Sequence, residues 1–134
     1  MAKIIALSEA VSIAIHGMVL IAKSDVEFNV TQIAEKTDAS KHHVAKIMQR
    51  LVKDNFLVSQ RGPKGGFRLK KKPKDISFLD IMESIDGKID ITECPLDRPI
   101  CPFGECLFGD VATQISKDFK NYLQNQTLAK YVQK

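Results

Sequence analysis

Two short helices with apolar stripes are joined by a tight turn, a glycine-rich basic hairpin follows, and a long amphipathic helix lies near the C-terminus. Together these predict a mainly α fold: a winged helix-turn-helix with a small two-stranded wing, followed by a long C-terminal dimerisation helix. The expected division is a winged unit over residues 1–75 and a second segment over 76–134. The second segment holds a cysteine loop at 93–106 and the long helix.

The totals narrow the class. At 134 residues and 44% hydrophobic content, the chain can bury a real core, which argues against global disorder. No apolar run reaches the ~18 residues of a membrane-spanning helix. The most apolar N-terminal stretch, residues 14–22, is broken by His16 and Gly17, and it does not read as a secretory signal. A cytoplasmic protein with no membrane partner is expected. Three cysteines are an odd number and a poor disulfide framework, so they are expected as reduced thiols available as ligands.

The net charge of +4 conceals a segregated distribution. Between Lys41 and Lys74 there are eleven basic residues and one acidic residue, Asp54, so this segment is +10 and the remainder −6. Such segregation marks a footprint for a polyanion.

Taken in order, residues 7–22 read as a helix with Val11, Ala14, Ile15, Met18, Ile21 and Ala22 on one face. Residues 27–30 form a short extended link. Thr31 is the expected N-cap of a helix over 32–36, and 37–39 make the turn. Ser40 caps a second helix, 41–54, whose apolar face is Val44, Ile47, Met48 and Leu51. Residues 56–60 and 67–69 read as strands around a turn at 62–66. Arg61 and Lys64 would project at its tip, suited to phosphates or a narrow minor groove. After a charged linker closed by Pro73, Ser77 caps a helix with Asp80 as its box partner, and Gly87 marks the stop. Residues 110–124 carry the stripe Val111, Ile115, Phe119, Tyr122 and Leu123, and a last helical turn is expected over 127–132. A long helix with little local core to cover is expected to serve a dimer interface.

All three cysteines lie in one proline-rich loop, spaced Cys94-x6-Cys101-x4-Cys106. The absence of a C-x2-C pair disfavours thioredoxin-like chemistry and common zinc ribbons. Wide spacing on a loop suits an iron–sulfur cluster, while the thiolates themselves also favour zinc or copper(I). No nucleotide loop, paired catalytic carboxylates or nucleophile–base arrangement is present, so an enzyme is not expected.

At residues 51–69, and above all at Arg61-Gly62-Pro63-Lys64-Gly65-Gly66, the chain resembles the recognition-helix end and wing of the Rrf2 family of bacterial transcriptional regulators. Residues 13–18, 33–35 and 127–129 extend the likeness over nearly the whole length. The resemblance implies a homodimer on double-stranded DNA with a roughly palindromic operator, its two recognition helices lying in major grooves about one helical turn apart. Candidate DNA contacts are Ser40, Lys41, His42, His43, Lys46 and Arg50 on the helix, with Arg61 and Lys64 on the wing. The three-cysteine loop is shared by the family's iron–sulfur members, which implies a 2Fe–2S or 4Fe–4S cluster on Cys94, Cys101 and Cys106 that switches operator binding. In the family's iron–sulfur assembly regulator a histidine three residues after the last cysteine completes the set, and that position is Gly109 here. Other members take a ligand from the partner subunit's first helix. His16 falls near that histidine position, Ser12 near the acidic one, Glu9 lies two turns before His16, and Glu105 is a candidate in the loop. The expected fourth ligand is His16 from the partner subunit. The alternative is a cluster-free, thiol- or zinc-based regulator of the same family.

Overall fold

The structure is a computed structural model that describes residues 7–24, 26–62, 65–88, 102–103, 107 and 110–132. Helix α1 (Glu9–Lys23) begins where Ser8 turns its hydroxyl back on the chain, accepting from Val11 N–H at 3.1 Å. The same hydroxyl donates to Asp86 Oδ2 at 3.0 Å. Helix α2 (Val30–Thr37) starts two residues earlier in the chain than the sequence suggests. Asn29, not Thr31, is the N-cap, and with Gln32 it forms a reciprocal capping box at 2.9 Å in each direction. Thr31 sits inside the first turn, because the asparagine–glutamine pair satisfies two orphan N–H groups where a lone threonine would satisfy one. Asp38 closes α2 in the left-handed conformation, and α3 (Lys41–Lys53) follows.

The exit from α3 is set by Leu51, Val52, Asn55 and Phe56. Asn55 adopts φ 69°, a left-handed geometry that asparagine tolerates better than most residues. Phe56 N–H then donates to Leu51 O at 3.0 Å, and Asn55 N–H to Val52 O at 3.1 Å. This pair of bonds, with buried Phe56 and Leu51 in one cluster, turns the chain straight into strand β1 (Leu57–Gln60). Strand β2 (Gly66–Leu69) pairs antiparallel with β1 in the register Leu57↔Leu69 to Gln60↔Gly66. The extended link before α2 adds an antiparallel bridge from Phe28 to Phe67, with Phe67 N–H donating to Phe28 O at 2.8 Å.

A short 3-10 turn (Pro73–Asp75) leads to α4 (Phe78–Asp86), whose Ser77–Asp80 capping box forms as expected. Helix α5 (Val111–Asn125) is followed by a 3-10 turn (Leu128–Tyr131). A bridge between Ser77 and Thr127 pins this end of the chain beside the start of α4.

One core joins these elements. Met18, Ile33, Met48, Leu51, Ile76, Ile81 and Leu128 are fully buried in a single cluster, so helix α4 and the C-terminal turn share the interior of the winged unit. Each such side chain stabilises the fold by ~1.5–3 kcal/mol relative to exposure. A second cluster forms where Val11 of α1 meets Leu79 and Met82 of α4 and Leu123 of α5. The α5 stripe therefore divides. Leu123 is 5% exposed where it packs on Val11, Leu79 and Met82, whereas Val111 in the first turn and Tyr122 on the neighbouring face are 57% and 58% exposed.

Two glycines meet different obstacles. A Cβ on Gly66 would stand 2.6 Å from Phe28 O, a backbone atom fixed by the bridge to Phe67. A Cβ on Gly17 would meet the terminal methyl of Met48 at 2.8 Å, and that methyl can swing aside. Gly66→Ala is expected to lower stability by about 1–3 kcal/mol. Gly17→Ala is expected to stay within about 1 kcal/mol of wild type, since alanine also recovers helix propensity. Urea unfolding of both variants checks this order.

Candidate nucleic-acid interface and sensor residues

The exposed face of α3 follows from how the helix buries itself. Val44, Ile47, Met48 and Leu51 face the core, and the opposite stripe is His42, Lys46, Gln49 and Lys53, all exposed. His42, Lys46 and Gln49 have no side-chain hydrogen bond or ion pair among the described residues. Gln49 was absent from the candidates read from sequence. The signal that finds it is the i, i+4, i+7, i+11 spacing from His42, the complement of the buried stripe. Lys41 is exposed on one flank of this stripe, and His43 is half-buried on the other.

Ser40 has a structural role already. Its hydroxyl oxygen accepts from His43 N–H at 3.1 Å, capping α3 at the end where the exposed Lys41 and His42 begin. Arg50 is exposed, but its Nε points away from the stripe. It donates to Asp54 Oδ2 at 3.2 Å and to the Ser84 carbonyl of α4 at 3.1 Å. The Ser84 hydroxyl also donates to Asp54 Oδ2. Asp54 is held below the usual aspartate range, chiefly by the Ser84 hydrogen bond and then by the Arg50 and Lys53 charges, against a partial burial that acts the other way.

On the wing, Arg61 is exposed beside Gly62, whose φ of 113° requires glycine. Gly65 N–H donates to Gly62 O at 2.9 Å and closes the tip. Arg68 is exposed on β2, and Lys71 Nζ stands 4.7 Å from the Phe56 ring centroid. Lys64 lies outside the described residues.

The three cysteines, Cys94, Cys101 and Cys106, lie outside the described residues, as do Glu105 and Gly109. Among the described residues no group of three or more His, Cys, Asp or Glu side chains is arranged to hold a metal ion. His16 is exposed on α1, and its Nδ1 sits 2.7 Å from Ser12 O. A carbonyl can only accept, so Nδ1 is the donor in this contact, and Nε2 is the ring nitrogen that it does not use. Such anchoring by a backbone carbonyl is how protein metal sites commonly fix a ligating imidazole. Ser12 Oγ is 3.4 Å from the same nitrogen, and Glu9 is exposed in the first turn of α1. His16 also lines a groove of about 450 Å³, together with Ile15, Val19, Leu20 and the stacked rings of Phe78 and Tyr131.

No helix of the described residues is long and apolar enough to cross a membrane. The profile of the Rrf2 family, described as iron-dependent transcriptional regulators, matches residues 7–134. BadM, an HTH-type transcriptional regulator of Rhodopseudomonas palustris, is 37% identical over 79 residues, covering 58% of this chain and 51% of that protein. The HTH-type transcriptional regulator IscR of Serratia proteamaculans is 29% identical over 104 residues, covering 77% of this chain and 63% of that one. This chain thus spans between half and two thirds of the length of these two relatives. Among solved structures, CymR, the global cysteine regulator of B. subtilis, superposes with a TM-score of 0.76 at 20% identity, over 93% of this chain and 94% of that one. That likeness shows the fold, and the relatives found by sequence are regulators rather than enzymes. With the family profile matching from the first described residue to the last residue of the chain, this protein belongs to the Rrf2 family of transcriptional regulators.

Proposed function

We propose that the chain acts as a homodimer that reads double-stranded DNA through α3 and the wing, and that its three-cysteine loop is the sensor controlling that reading. The observation that supports it most is the α3 stripe. His42, Lys46 and Gln49 stand together opposite the core with no intramolecular partner among the described residues. Lys46 suits guanine O6/N7 or a phosphate, Gln49 suits bidentate recognition of adenine, and the imidazole of His42 suits either groove edges or phosphate. Ser40, Lys41 and His43 fill the N-terminal end of the same helix, where exposed N–H groups favour phosphate. Arg61 and Lys64 serve the flanking phosphates or minor groove. The Arg50 Nε bonds to Asp54 and the Ser84 carbonyl favour a role at the end of α4 for this cation, with the other basic residues on the DNA surface. The exposed Val111 and Tyr122 on α5 are the proposed contact with the second copy, which sets two α3 helices on a roughly palindromic operator.

For the sensor, the proposed ligands are Cys94, Cys101 and Cys106 of one protomer and His16 Nε2 of its partner. The support is the carbonyl-anchored tautomer of His16, together with a family described as iron-dependent. When bound, an iron–sulfur cluster supplies redox and oxidant sensitivity at the thiolates. His16 would tie that sensitivity to α1, whose other faces pack on α3 and α4.

Protein purified without oxygen is expected to contain iron and acid-labile sulfide with visible absorption, and His16→Ala to lower both. Zinc alone, or metal-free protein with full DNA binding, would instead support the thiol- or zinc-based form. Lys46→Ala is expected to weaken binding to a selected duplex by about 1–3 kcal/mol, roughly 5–150-fold. An unchanged affinity would remove α3 as the reading helix. At Ser40 two effects separate. Ser40→Ala should cost about 1 kcal/mol of stability through the lost cap. Ser40→Asp should keep the cap and stability, yet weaken DNA binding by placing a carboxylate against phosphate. Unfolding and mobility-shift measurements on both variants check this.

A further inference from the structure

The last turns of α3 and α4 are joined by a small polar cluster that the reading surface does not use. Arg50 Nε bridges Asp54 Oδ2 and the Ser84 carbonyl at 3.2 and 3.1 Å. That carbonyl belongs to the final turn of α4, where carbonyls lack helical partners and carry the negative end of the helix dipole. A guanidinium on α3 therefore caps the end of α4. The Ser84 hydroxyl reaches back to the Asp54 carboxylate, and Asp54 is itself the C-cap of α3. Each helix end thus supplies one group to the other. The same final turn of α4 is held from a third direction by Ser8, which donates from the start of α1 to Asp86 at 3.0 Å.

We propose that Asp54 and Ser84 are positioning residues for DNA reading: through Arg50 they fix the orientation of α3 relative to α4, and so set how α3 is presented to the duplex. This rests on the reading that α3 contacts DNA. This positioning needs no contact between either residue and DNA. Core packing sets the distance between α3 and α4, with Ile47, Leu51 and Ile81 in one cluster. Apolar contacts are non-directional, so rotation about that contact is left to the directional bonds at the helix ends.

The test uses the full chain, a duplex recovered from a random pool by the wild-type protein, and a mixed-sequence duplex of equal length. Ser84→Ala leaves the net charge unchanged. It is expected to weaken binding to the selected duplex by about 10-fold, the scale of one hydrogen bond to a charged group. Binding to the mixed-sequence duplex, which depends on phosphates rather than orientation, should stay within about 2-fold. Ser84→Thr keeps the hydroxyl and should restore discrimination, and Asp54→Ala should lose it. A merely structural role would lower both affinities together and would overturn the proposal, as would an unchanged ratio in Ser84→Ala. A wild-type chain that discriminates no duplex would overturn both this proposal and the α3 reading. Wild-type discrimination that survives in Ser84→Ala would overturn this proposal alone.

Discussion

Helix α1 has to be buried on two sides at once, and the rest of the molecule is arranged around that requirement. Its Ala14, Met18 and Ile21 pack into the interior of the winged unit, while Val11 packs with α4 and α5. Only a narrow strip, with Glu9, Ser12, His16 and Lys23, remains exposed. A helix apolar on most of its circumference cannot stand beside a domain as an accessory; it becomes the post around which the elements pack. Gly17 belongs to this arrangement, since its missing side chain makes room for the Met48 methyl of α3. The consequence for function is mechanical. Helix α3, helix α4 and the exposed His16 imidazole are all joined to α1.

Local chemistry then decides where the basic residues point. Asn55 in left-handed geometry and the paired bonds to Leu51 and Val52 turn α3 into β1 without a loop. The wing is therefore placed by the end of α3, and Phe28 fixes it from the other side through Phe67. The clustering of charge between Lys41 and Lys74 looks like one long footprint in sequence, yet the fold sorts it. Lys46 sits on the outward stripe, Arg61 is exposed near the wing tip, Lys71 stands over Phe56, and Arg50 is turned to α4.

Much of this was legible in the chain because period and cap residues are local. The apolar spacing of α3, the Ser40 cap, the Ser77–Asp80 box and the two-stranded hairpin follow from residues within a few positions of one another. What was less legible depends on distant partners or on competition between neighbours. Asn29 outcompetes Thr31 as a cap because Gln32 lies at the right spacing to reciprocate. The division of the α5 stripe needs the position of Val11 and Leu79, more than thirty residues away. The bond from Arg50 to the Ser84 carbonyl, thirty-four residues away, has no local signal in the chain. The His16 tautomer is set by its own helix turn, but only the side-chain rotamer reveals it. The cysteine ligands remain a proposal, resting on their spacing and on the family.

The proposed complex has the cationic surface of α3 and the wing on the DNA backbone and the α3 stripe on base edges. The salt dependence of binding to a selected duplex tests it most directly. If six to ten phosphates are engaged by the dimer, affinity should fall about 10³–10⁵-fold between 50 and 200 mM salt. An affinity that stays flat across that range would contradict it.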